Sequence, residues 1–477
     1  MERGGAELDA VVVGSGPNGL AAAITLAQSG RRVRVYEAAN EIGGSARTAA
    51  LTEPGFLHDV CSAVFPLAIA SPFFATLPLA QHGLDWVHSP ALLAHPFDDG
   101  TAVVLERSVA ATARELGLDG PAYENLLGGF VREWDTLKTL VLAPLAVFAH
   151  PWTMLRFGRF GLRSAQALAF SMFRGDRARA LFAGIAAHSS LPLDRPVSAG
   201  YGLVLAIAGH AGGWPLAKGG SRALSLALGA YLESLGGEVV TDRPILALEE
   251  LPRAPVVLCD ASPRGLLQIA GQRLPPRYRR RLTAFHYGPA AYKLDYALSA
   301  PVPWKADACR RAATVHLGGT FAEIAESERA PSNGRCAEHP FVLLVQPTLF
   351  DPGRAPPGKH TVWAYCHVPN GSSVPMWERI EQQIERFAPG FRDCIIARSI
   401  KPPAALESWN PNLVGGDING GLPGLSQVWA RPTRRTYSTP VRGLYLCSSS
   451  TPPGGGVHGM CGYFAARRAI MELAPHT

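Results

Sequence analysis

The chain has 477 residues, of which 47% are hydrophobic and 17% charged, and its formal net charge is +7. These values are typical of a large globular protein with more than one domain, and they exclude a disordered chain. The sequence has no uncharged apolar run of about 18 residues that would predict a membrane-spanning helix. The first ten residues lack the apolar segment of a signal peptide, so we expect a cytoplasmic protein.

Charged residues and cysteines exclude two further classes of function. The arginines are scattered, and no basic block interleaved with aromatic residues predicts contact with nucleic acid. The eight cysteines are dispersed and form no CxxC pair, which argues against a zinc site or a thioredoxin-type redox pair. We therefore expect no metal ion.

The chain begins with a strand, a glycine turn and a helix. Ala10–Val13 form a short apolar run typical of a strand buried on both faces, and residues 20–27 are small apolar and helix-forming residues. Between them Gly14, Gly16 and Gly19 have the spacing GxGxxG. In such a turn the first glycine permits the tight bend, the second lets the backbone approach a pyrophosphate, and the third lets helix and strand pack closely. The helix N-terminus would then face the phosphates.

A second strand completes this unit. Val33–Tyr36 are β-forming residues, and Glu37 follows them about 20 residues after the glycines, where a carboxylate can accept both ribose hydroxyls. Strand, glycines, helix, strand and acid in this order predict a dinucleotide site. A carboxylate at this position argues against a ribose 2′-phosphate.

Two segments after the second strand, residues 41–48 and 140–173, each allow two interpretations. In EIGGSART, residues 41–48, Ser45 and Arg47 can donate to phosphate or a polyol chain, but an ordinary loop explains the sequence equally well. From about residue 71 to 210 the pattern predicts helices. Within them the apolar segment 140–173 favours a helical cap packed on its own domain, with contact to a membrane surface or an apolar substrate tunnel as the alternative.

Residues after 211 predict that the chain returns to the nucleotide-binding domain and then forms a second domain. Residues 212–260 contain a helix and two strands of βαβ type, with Ser221 as a candidate helix cap. Four strands separated by Pro/Gly loops then predict a largely antiparallel sheet: 289–298, 313–318, 341–347 and 360–368. A helix is expected at 376–387. The chain ends with a second strand, glycine turn and helix in GLYLCSSSTPPGGGVHGMCGYFAA.

Four separated segments together resemble the phytoene desaturase-like FAD flavoproteins: GSGPNG with Glu37, EIGGSART, AKGGSRALSLAL with VVLCDASP, and the C-terminal segment. Within that group the chain is most similar to the phytoene dehydrogenase-related oxidoreductases, which are often labelled pyridine nucleotide-disulfide oxidoreductase domain proteins. The wider relatives are amine oxidase-like flavoproteins. The resemblance covers nearly the whole chain.

The resemblance implies an α/β fold in which a discontinuous, Rossmann-like FAD/NAD(P)-binding domain holds an inserted substrate domain of antiparallel sheet plus helices. We expect the FAD-binding domain to comprise residues 1–75, 212–275 and 426–477. The substrate-binding domain with its helical cap would comprise residues 76–211 and 276–425.

The resemblance also assigns residues to the cofactor, FAD. The residues expected to bind it are Gly14, Gly16, Pro17, Asn18, Gly19, Glu37, Ala38, Gly44, Ser45, Arg47, Gly455, Gly456, Val457 and His458. The glycine turn before the last helix would lie by the flavin pyrimidine edge, where the helix dipole favours negative charge.

Two residues are candidates for catalysis. Lys293 lies mid-strand at a position resembling the flavin-facing lysine of amine oxidase relatives, and a solvated lysine paired with Asp295 is the alternative. His458 stands where the family pattern has a small or polar residue, and it either contacts flavin or substrate or caps the helix.

The first functional hypothesis is an FAD-dependent dehydrogenase or desaturase of a lipophilic, isoprenoid or polyene-like substrate. Hydride would pass to flavin N5, and oxygen or a quinone would reoxidise the flavin. The sequence shows no catalytic triad.

An amine oxidase-like enzyme is the second hypothesis, with an aromatic cage drawn from Trp214, Tyr292, Trp363, Tyr365 and Trp409. A redox-neutral double-bond isomerase and a flavin-containing binding protein without turnover are further alternatives. The sequence leaves the substrate, the electron acceptor and the oligomeric state open.

Overall fold

The computed structural model describes residues 7–144, 149–425, 427 and 430–473. Residues 145–148 of the apolar segment 140–173 therefore lie outside the described residues, as do residues 1–6 and 474–477 at the limits of the predicted nucleotide domain.

The strands are β1 Ala10–Val13, β2 Val33–Tyr36, β3 Thr48–Ala49, β4 His58–Asp59, β5 Trp86–Val87, β6 Ala91–Pro96, β7 Ala102–Leu105, β8 Leu216–Ala217, β9 Glu238–Val240, β10 Val256–Cys259, β11 Ala290–Leu298, β12 Ala312–Leu317, β13 Val342–Val345, β14 His360–Val368, β15 Ile395–Lys401 and β16 Leu444–Leu446. The helices are α1 Pro17–Gln28, α2 Pro66–Ala70, α3 Val109–Glu115, α4 Gly120–Arg132, α5 Trp134–Val141, α6 Pro151–Gly161, α7 Ala165–Met172, α8 Asp176–Ala187, α9 Ser198–Gly212, α10 Arg222–Ser234, α11 Pro263–Ala270, α12 Pro276–Thr283, α13 Phe321–Arg329, α14 Trp377–Phe387, α15 Pro403–Trp409 and α16 Met460–Leu473.

A five-stranded parallel sheet forms the nucleotide-binding part of the fold. Its order is β16-β10-β1-β2-β9, and every neighbouring pair is parallel. The inner strands β1 and β10 are short apolar runs and largely buried, as expected in the interior of such a sheet, whereas the edge strand β9 is partly exposed. All five carboxyl ends meet at one edge, so the turns after β1, β2, β10 and β16 lie side by side.

Helices from opposite ends of the chain pack together on this sheet. A Cβ on Gly462 of α16 would lie 1.8 Å from the Asn18 carbonyl oxygen of α1, so only glycine allows the two helices to approach this closely. Leu224 and Leu228 of α10 join the same hydrophobic core. The expected discontinuous Rossmann-like domain is thereby confirmed, while its exact limits stay a prediction.

The second sheet has seven strands in the order β15-β11-β14-β13-β12-β6-β7. Its pairs are antiparallel except β12 with β6, as expected for a largely antiparallel sheet. The amphipathic helix α14 covers one face with Ile380, Ile384 and Phe387.

The hairpin β6–β7 corrects the expectation of helices throughout residues 71–210. Its strands are short apolar runs that periodicity alone does not separate from buried helix. The turn between them, Asp98-Asp99-Gly100, is a typical hairpin signal, and Gly100 has φ +80°. That turn identifies the hairpin in the sequence.

Helices α3 to α9 form the cap. Their apolar faces contribute Phe130, Leu168, Leu181 and Leu203 to the core that also contains the parallel sheet. Among the described residues, no helix has both the length and the hydropathy that crossing a bilayer requires.

Candidate functional site

The glycine turn after β1 opens the site. Gly14 has φ +97°, and a Cβ on Gly19 would lie 2.0 Å from the Gly14 carbonyl oxygen, so both glycines are required by the backbone itself. Gly16 precedes α1 and lines a large cavity together with Pro17 and Asn18. The buried Asn18 Oδ1 has no hydrogen-bond partner among the described residues. The N-terminus of α1 therefore lies at the cavity, and the side chain of Asn18 keeps one unused acceptor there.

Glu37 at the end of β2 is fixed by three hydrogen bonds. Its Oε2 accepts from the backbone N–H of Ser15 at 2.8 Å and from the Ser15 hydroxyl at 2.6 Å, and its Oε1 accepts from the N–H of Ala39 at 2.9 Å. A carboxylate has about four acceptor positions, so one on Oε1 stays open. Glu37 and Ala38 both line the cavity beside the glycine turn.

The loop after β2 closes one side of the cavity. Arg47 Nε donates to the Gly44 carbonyl at 2.8 Å, and its guanidinium lies 4.6 Å from the centroid of the Trp409 ring. Burial lowers the pKa of Arg47. Asn410 Nδ2 donates to the Ser45 hydroxyl at 2.9 Å. The end of α15 thus covers this loop, a contact that the sequence pattern did not reveal.

Asp260, which follows β10, lies directly beside the glycine turn. Its Oδ2 accepts from the N–H of Gly19 at 2.9 Å. Burial raises the pKa of this carboxyl to about 7, an effect that the Gly19 bond partly opposes. Asn412 Nδ2 donates to the Asp260 carbonyl oxygen at 2.9 Å. Sequence reasoning missed Asp260 as a site residue, although its place after a buried strand of the parallel sheet is a usable signal.

The second glycine turn, before α16, forms the opposite wall. Gly455, Gly456, Val457 and His458 all line the cavity. His458 Nδ1 accepts from the N–H of Met460, the first residue of α16, at 3.1 Å. Burial lowers the pKa of His458 to about 4, so the imidazole is neutral at physiological pH. Its ring therefore caps the helix, and its use as a catalytic acid or base stays a prediction.

A buried arginine supports this wall. The Arg431 guanidinium donates to the carbonyl oxygens of Asn419 at 2.9 Å, Gly420 at 3.0 Å and Ser449 at 3.1 Å. It thereby holds the loop before β16 against the glycine turn.

Lys293 lies behind the cavity wall. Its buried ammonium contacts the buried Asp295 carboxylate and lies 5.7 Å from the centroid of the Trp363 ring, which faces the cavity. Asp295 Oδ1 in turn lies 3.8 Å from His58 Nδ1. The lysine is thus paired as in the alternative reading, yet buried rather than solvated. Its role toward a cofactor stays a prediction.

The two glycine turns border one continuous cavity of about 2350 Å³. We call the part lined by the rings of Trp214, Trp363 and Tyr365 the chamber, and Trp152 and Leu155 of α6 line the cavity as well. Pockets for drug-sized ligands have volumes of about 300–1,000 Å³, so this cavity can hold a dinucleotide and a second large ligand together. The indole N–H groups of Trp214, Trp363 and Trp409 are buried without a partner among the described residues.

The aromatic residues considered for a cage are only partly brought together. Trp363 and Tyr365 pack edge to face with ring centroids 5.1 Å apart, and Trp214 also lines the chamber. Trp409 lies at the nucleotide end, and Tyr292 lies in the separate core under α14. In the part of the chain that the structure describes, no group of three or more His, Cys, Asp or Glu side chains could hold a metal ion.

Comparisons with known proteins agree with this geometry. Residues 12–76 match the NAD(P)-binding Rossmann-like domain family. The chain is 27% identical to mouse pyridine nucleotide-disulfide oxidoreductase domain-containing protein 2, over 98% of this chain and 94% of the relative. It is 25% identical to a lycopene-forming phytoene desaturase of Paracoccus, over 97% of both chains.

A solved structure shows the same fold. Cyclohexylamine oxidase from Brevibacterium oxydans superposes with a TM-score of 0.61 at 15% identity, over 98% of this chain and all of the other. By sequence similarity over nearly its whole length, the chain is an oxidoreductase related to the phytoene desaturases and to pyridine nucleotide-disulfide oxidoreductase domain-containing protein 2.

Proposed function

We propose that the protein is an FAD-dependent dehydrogenase or desaturase of a lipophilic, isoprenoid or polyene-like substrate. The observation that carries the proposal is that the two glycine turns and the aromatic chamber line one cavity. A dinucleotide in the first part would have its reactive end next to a ligand in the second.

The residues of the first part fit FAD. The N-terminus of α1 would hold the diphosphate, the open acceptor position on Glu37 the adenosine ribose, and Ser45 and Arg47 the chain between them. Gly455, Gly456 and Val457 would lie along the flavin. The unpartnered Asn18 Oδ1 and Trp409 Nε1 in these walls support a polar ligand here. When bound, FAD supplies the hydride acceptor, its N5 atom.

The chamber suits an apolar substrate better than an amine. The acidic residues lining the cavity are Glu37 and Asp260 at the nucleotide end and Glu133 at the far end, where Glu133 is paired with Arg156. The cavity also contains five arginines. A cationic amine would therefore find no carboxylate among the described residues of the chamber. An amine oxidase-like reaction is the second candidate, because the Trp363 and Tyr365 rings could form part of an aromatic cage around an amine.

The far end of the cavity supports contact with a lipid surface. Trp152 is 81% and Leu155 66% exposed on α6, and both line the opening. Arg159 lies one helical turn after Leu155, is exposed, and can face anionic headgroups. We propose that α6 lies in a membrane interface and admits the substrate from it, with the rest of the protein in the cytoplasm. A quinone or dioxygen would accept the electrons.

The proposal is tested by bleaching of the flavin absorbance under anaerobic conditions. Purified protein would be mixed separately with phytoene in liposomes, a host lipid extract, putrescine and NADPH. Bleaching by phytoene or the lipid extract is expected. Bleaching by putrescine alone would establish the amine oxidase-like alternative. Bleaching by NADPH alone would contradict the dehydrogenase and favour a reductase or the isomerase.

A further inference from the structure

The carboxyl group of Asp260 lies at the N-terminus of α1, where the proposed function places the diphosphate of FAD. Its Oδ2 accepts from the N–H of Gly19 at 2.9 Å. A Cβ on Gly16, the residue before α1, would lie 2.6 Å from the same oxygen. Asp260 is partly exposed and lines the cavity together with Gly16. A ligand held against the backbone of Gly16 would therefore have this carboxyl group as a neighbour.

The N-terminus of α1 has few donors left for an anion. The first N–H groups of an α-helix have no partner within the helix, and together with the helix dipole they attract anions. In α1 the first helical residue is Pro17, which has no N–H, and the N–H of Gly19 is taken by Asp260. When Asp260 is ionised, it is thus itself the anion at this helix end, in competition with a diphosphate.

The titratable side chains that face Asp260 come from four elements. Glu37, after β2, is a second carboxylate. Cys259 on β10, Cys447 after β16 and Cys461 on α16 have thiols whose pKa is raised by burial, so these groups stay uncharged. Among the described residues, neither a lysine nor an arginine opposes the negative charge at this place. A diphosphate would add more of it, and like charges close together disfavour the ionised form of a carboxyl group.

Asp260 has access to its neutral form at physiological pH, because burial raises its pKa to about 7. Since Oδ2 accepts from Gly19, the proton of the acid belongs on Oδ1, which makes no hydrogen bond among the described residues. A protonated carboxyl group has one O–H donor, whereas a carboxylate has none. The neutral acid can therefore donate to a phosphate oxygen, and the carboxylate repels it.

We propose that Asp260 is a cofactor-binding residue that binds the diphosphate of FAD as a neutral acid, so that FAD binding to the ionised form takes up one proton. This role requires FAD at the two glycine turns and so rests on the proposed function. The proton comes from the solvent and forms the O–H bond of Asp260. FAD affinity is then highest below pH 7 and falls as pH rises, because only the protonated fraction of the apoprotein is competent to bind.

The test measures the dissociation constant of FAD at pH 6.0 and at pH 8.5. Full-length apoprotein would be titrated with FAD and followed by flavin fluorescence. With a pKa of about 7, the protonated fraction of Asp260 falls from about 90% to about 3% between these conditions, so we expect the affinity of the wild type to fall about thirtyfold.

Asp260→Asn removes the charge and keeps the shape of the side chain. Its amide offers an acceptor to Gly19 and an N–H donor to a phosphate, and it does not ionise. We expect equal affinity at both pH values, and at pH 8.5 about thirtyfold tighter binding than in the wild type. The control is Asp9→Asn at the opposite end of the same sheet, because Asp9 also accepts a backbone N–H, that of Arg32 at 2.8 Å. This variant should keep the wild-type pH dependence.

A second measurement needs no variant. Calorimetric titration of the wild type with FAD at pH 8.0, in two buffers that differ in their enthalpy of ionisation, gives the number of protons taken up. We expect about one proton per FAD, because Asp260 is mostly ionised before binding and protonated after it.

The outcomes separate this inference from the function on which it rests. A wild-type affinity that changes less than twofold, or FAD binding without proton uptake, would overturn Asp260 as a neutral acid. An unchanged pH dependence in Asp260→Asn would assign the effect to another group. Weaker binding by Asp260→Asn than by the wild type at pH 8.5 would show that the ionised form binds, and it too would overturn the inference. Protein that binds FAD at neither pH would instead contradict the proposed function itself.

Discussion

Gly16 and Gly19 belong to the same motif, but an added side chain would meet different neighbours at the two positions. A Cβ on Gly19 would meet the backbone of Gly14, whereas a Cβ on Gly16 would meet the Asp260 side chain at 2.6 Å, at the cavity surface. Replacement of Gly19 is therefore expected to disrupt the turn. Replacement of Gly16 is expected to act mainly on the ligand.

We predict that Gly16→Val lowers FAD occupancy tenfold or more. The valine side chain would occupy the place of a diphosphate and displace at least one charge-assisted hydrogen bond, each of which contributes about 1.5–3 kcal/mol. The measurement is the ratio of flavin to protein absorbance after purification. Gly353→Val is the matched control, because no atom lies within 4 Å of a Cβ there. Full occupancy in Gly16→Val would show that the diphosphate is not held at this turn.

Asp260 gives a pH-dependent prediction. Because burial raises its pKa to about 7, the folded protein binds this proton more tightly than the unfolded chain does. The carboxyl thus stabilises the fold only while it is protonated, and this contribution is lost as pH rises from about 4 through 7, at about 1.4 kcal/mol per pH unit. We expect Asp260→Asn to raise the melting temperature relative to wild type more at pH 8.5 than at pH 5.5. An equal difference at both pH values would contradict the raised pKa.

At the scale of elements, the local sequence predicted the bounds of two strands but missed the β6–β7 hairpin and a long-range hydrogen bond. Val33–Tyr36 and His360–Val368 are strands with the bounds that their β-branched and aromatic residues predict. The short runs of β6 and β7 were missed because burial on both faces removes periodicity. Ser221 occupies the N-cap position of α10, as predicted, but its side chain makes no capping bond. Its hydroxyl donates instead to the Arg47 carbonyl at 2.9 Å, a long-range bond that no local pattern encodes.

Helix α6 provides a prediction at this scale. We expect Trp152→Glu with Leu155→Glu to reduce cosedimentation with phosphatidylcholine–phosphatidylglycerol vesicles at least fivefold. Burial of one large apolar side chain contributes about 1.5–3 kcal/mol. The control is Leu226→Glu, which changes a leucine that is 46% exposed on α10. Equal losses in both variants, or no loss in either, would argue against α6 as the lipid contact.

At the scale of the whole molecule, the sequence pattern and the family resemblance predicted the fold, and the structure places Gly14, Gly16 and Glu37 on the cavity. The family resemblance implied the C-terminal turn. The remaining site residues come from elsewhere in the chain. Asp260, Trp409 and Arg431 approach the cavity from separate elements. Their positions depend on packing between segments more than a hundred residues apart, which spacing along the chain does not specify.

Because the proposed FAD contacts come from both ends of the chain, FAD should stabilise the molecule as one unit. A ligand at 100 times its dissociation constant adds about 2.7 kcal/mol. We expect apoprotein to show one thermal transition that rises by a few degrees with excess FAD and is unchanged by NADPH. A second transition that FAD leaves in place would mean that the substrate part unfolds independently.

The pairing of β16 with β10 has a consequence for synthesis of the protein in the cell. Ribosomes add about 5–20 residues per second. The strand at 444–446, which completes the sheet of β1 and β2, is therefore synthesised on the order of tens of seconds after them. During that time the nascent chain exposes the face of α1 that Gly462 later covers. We therefore expect the protein to retain FAD only after β16 and α16 have been synthesised, and a chain truncated before β16 to lack that capacity.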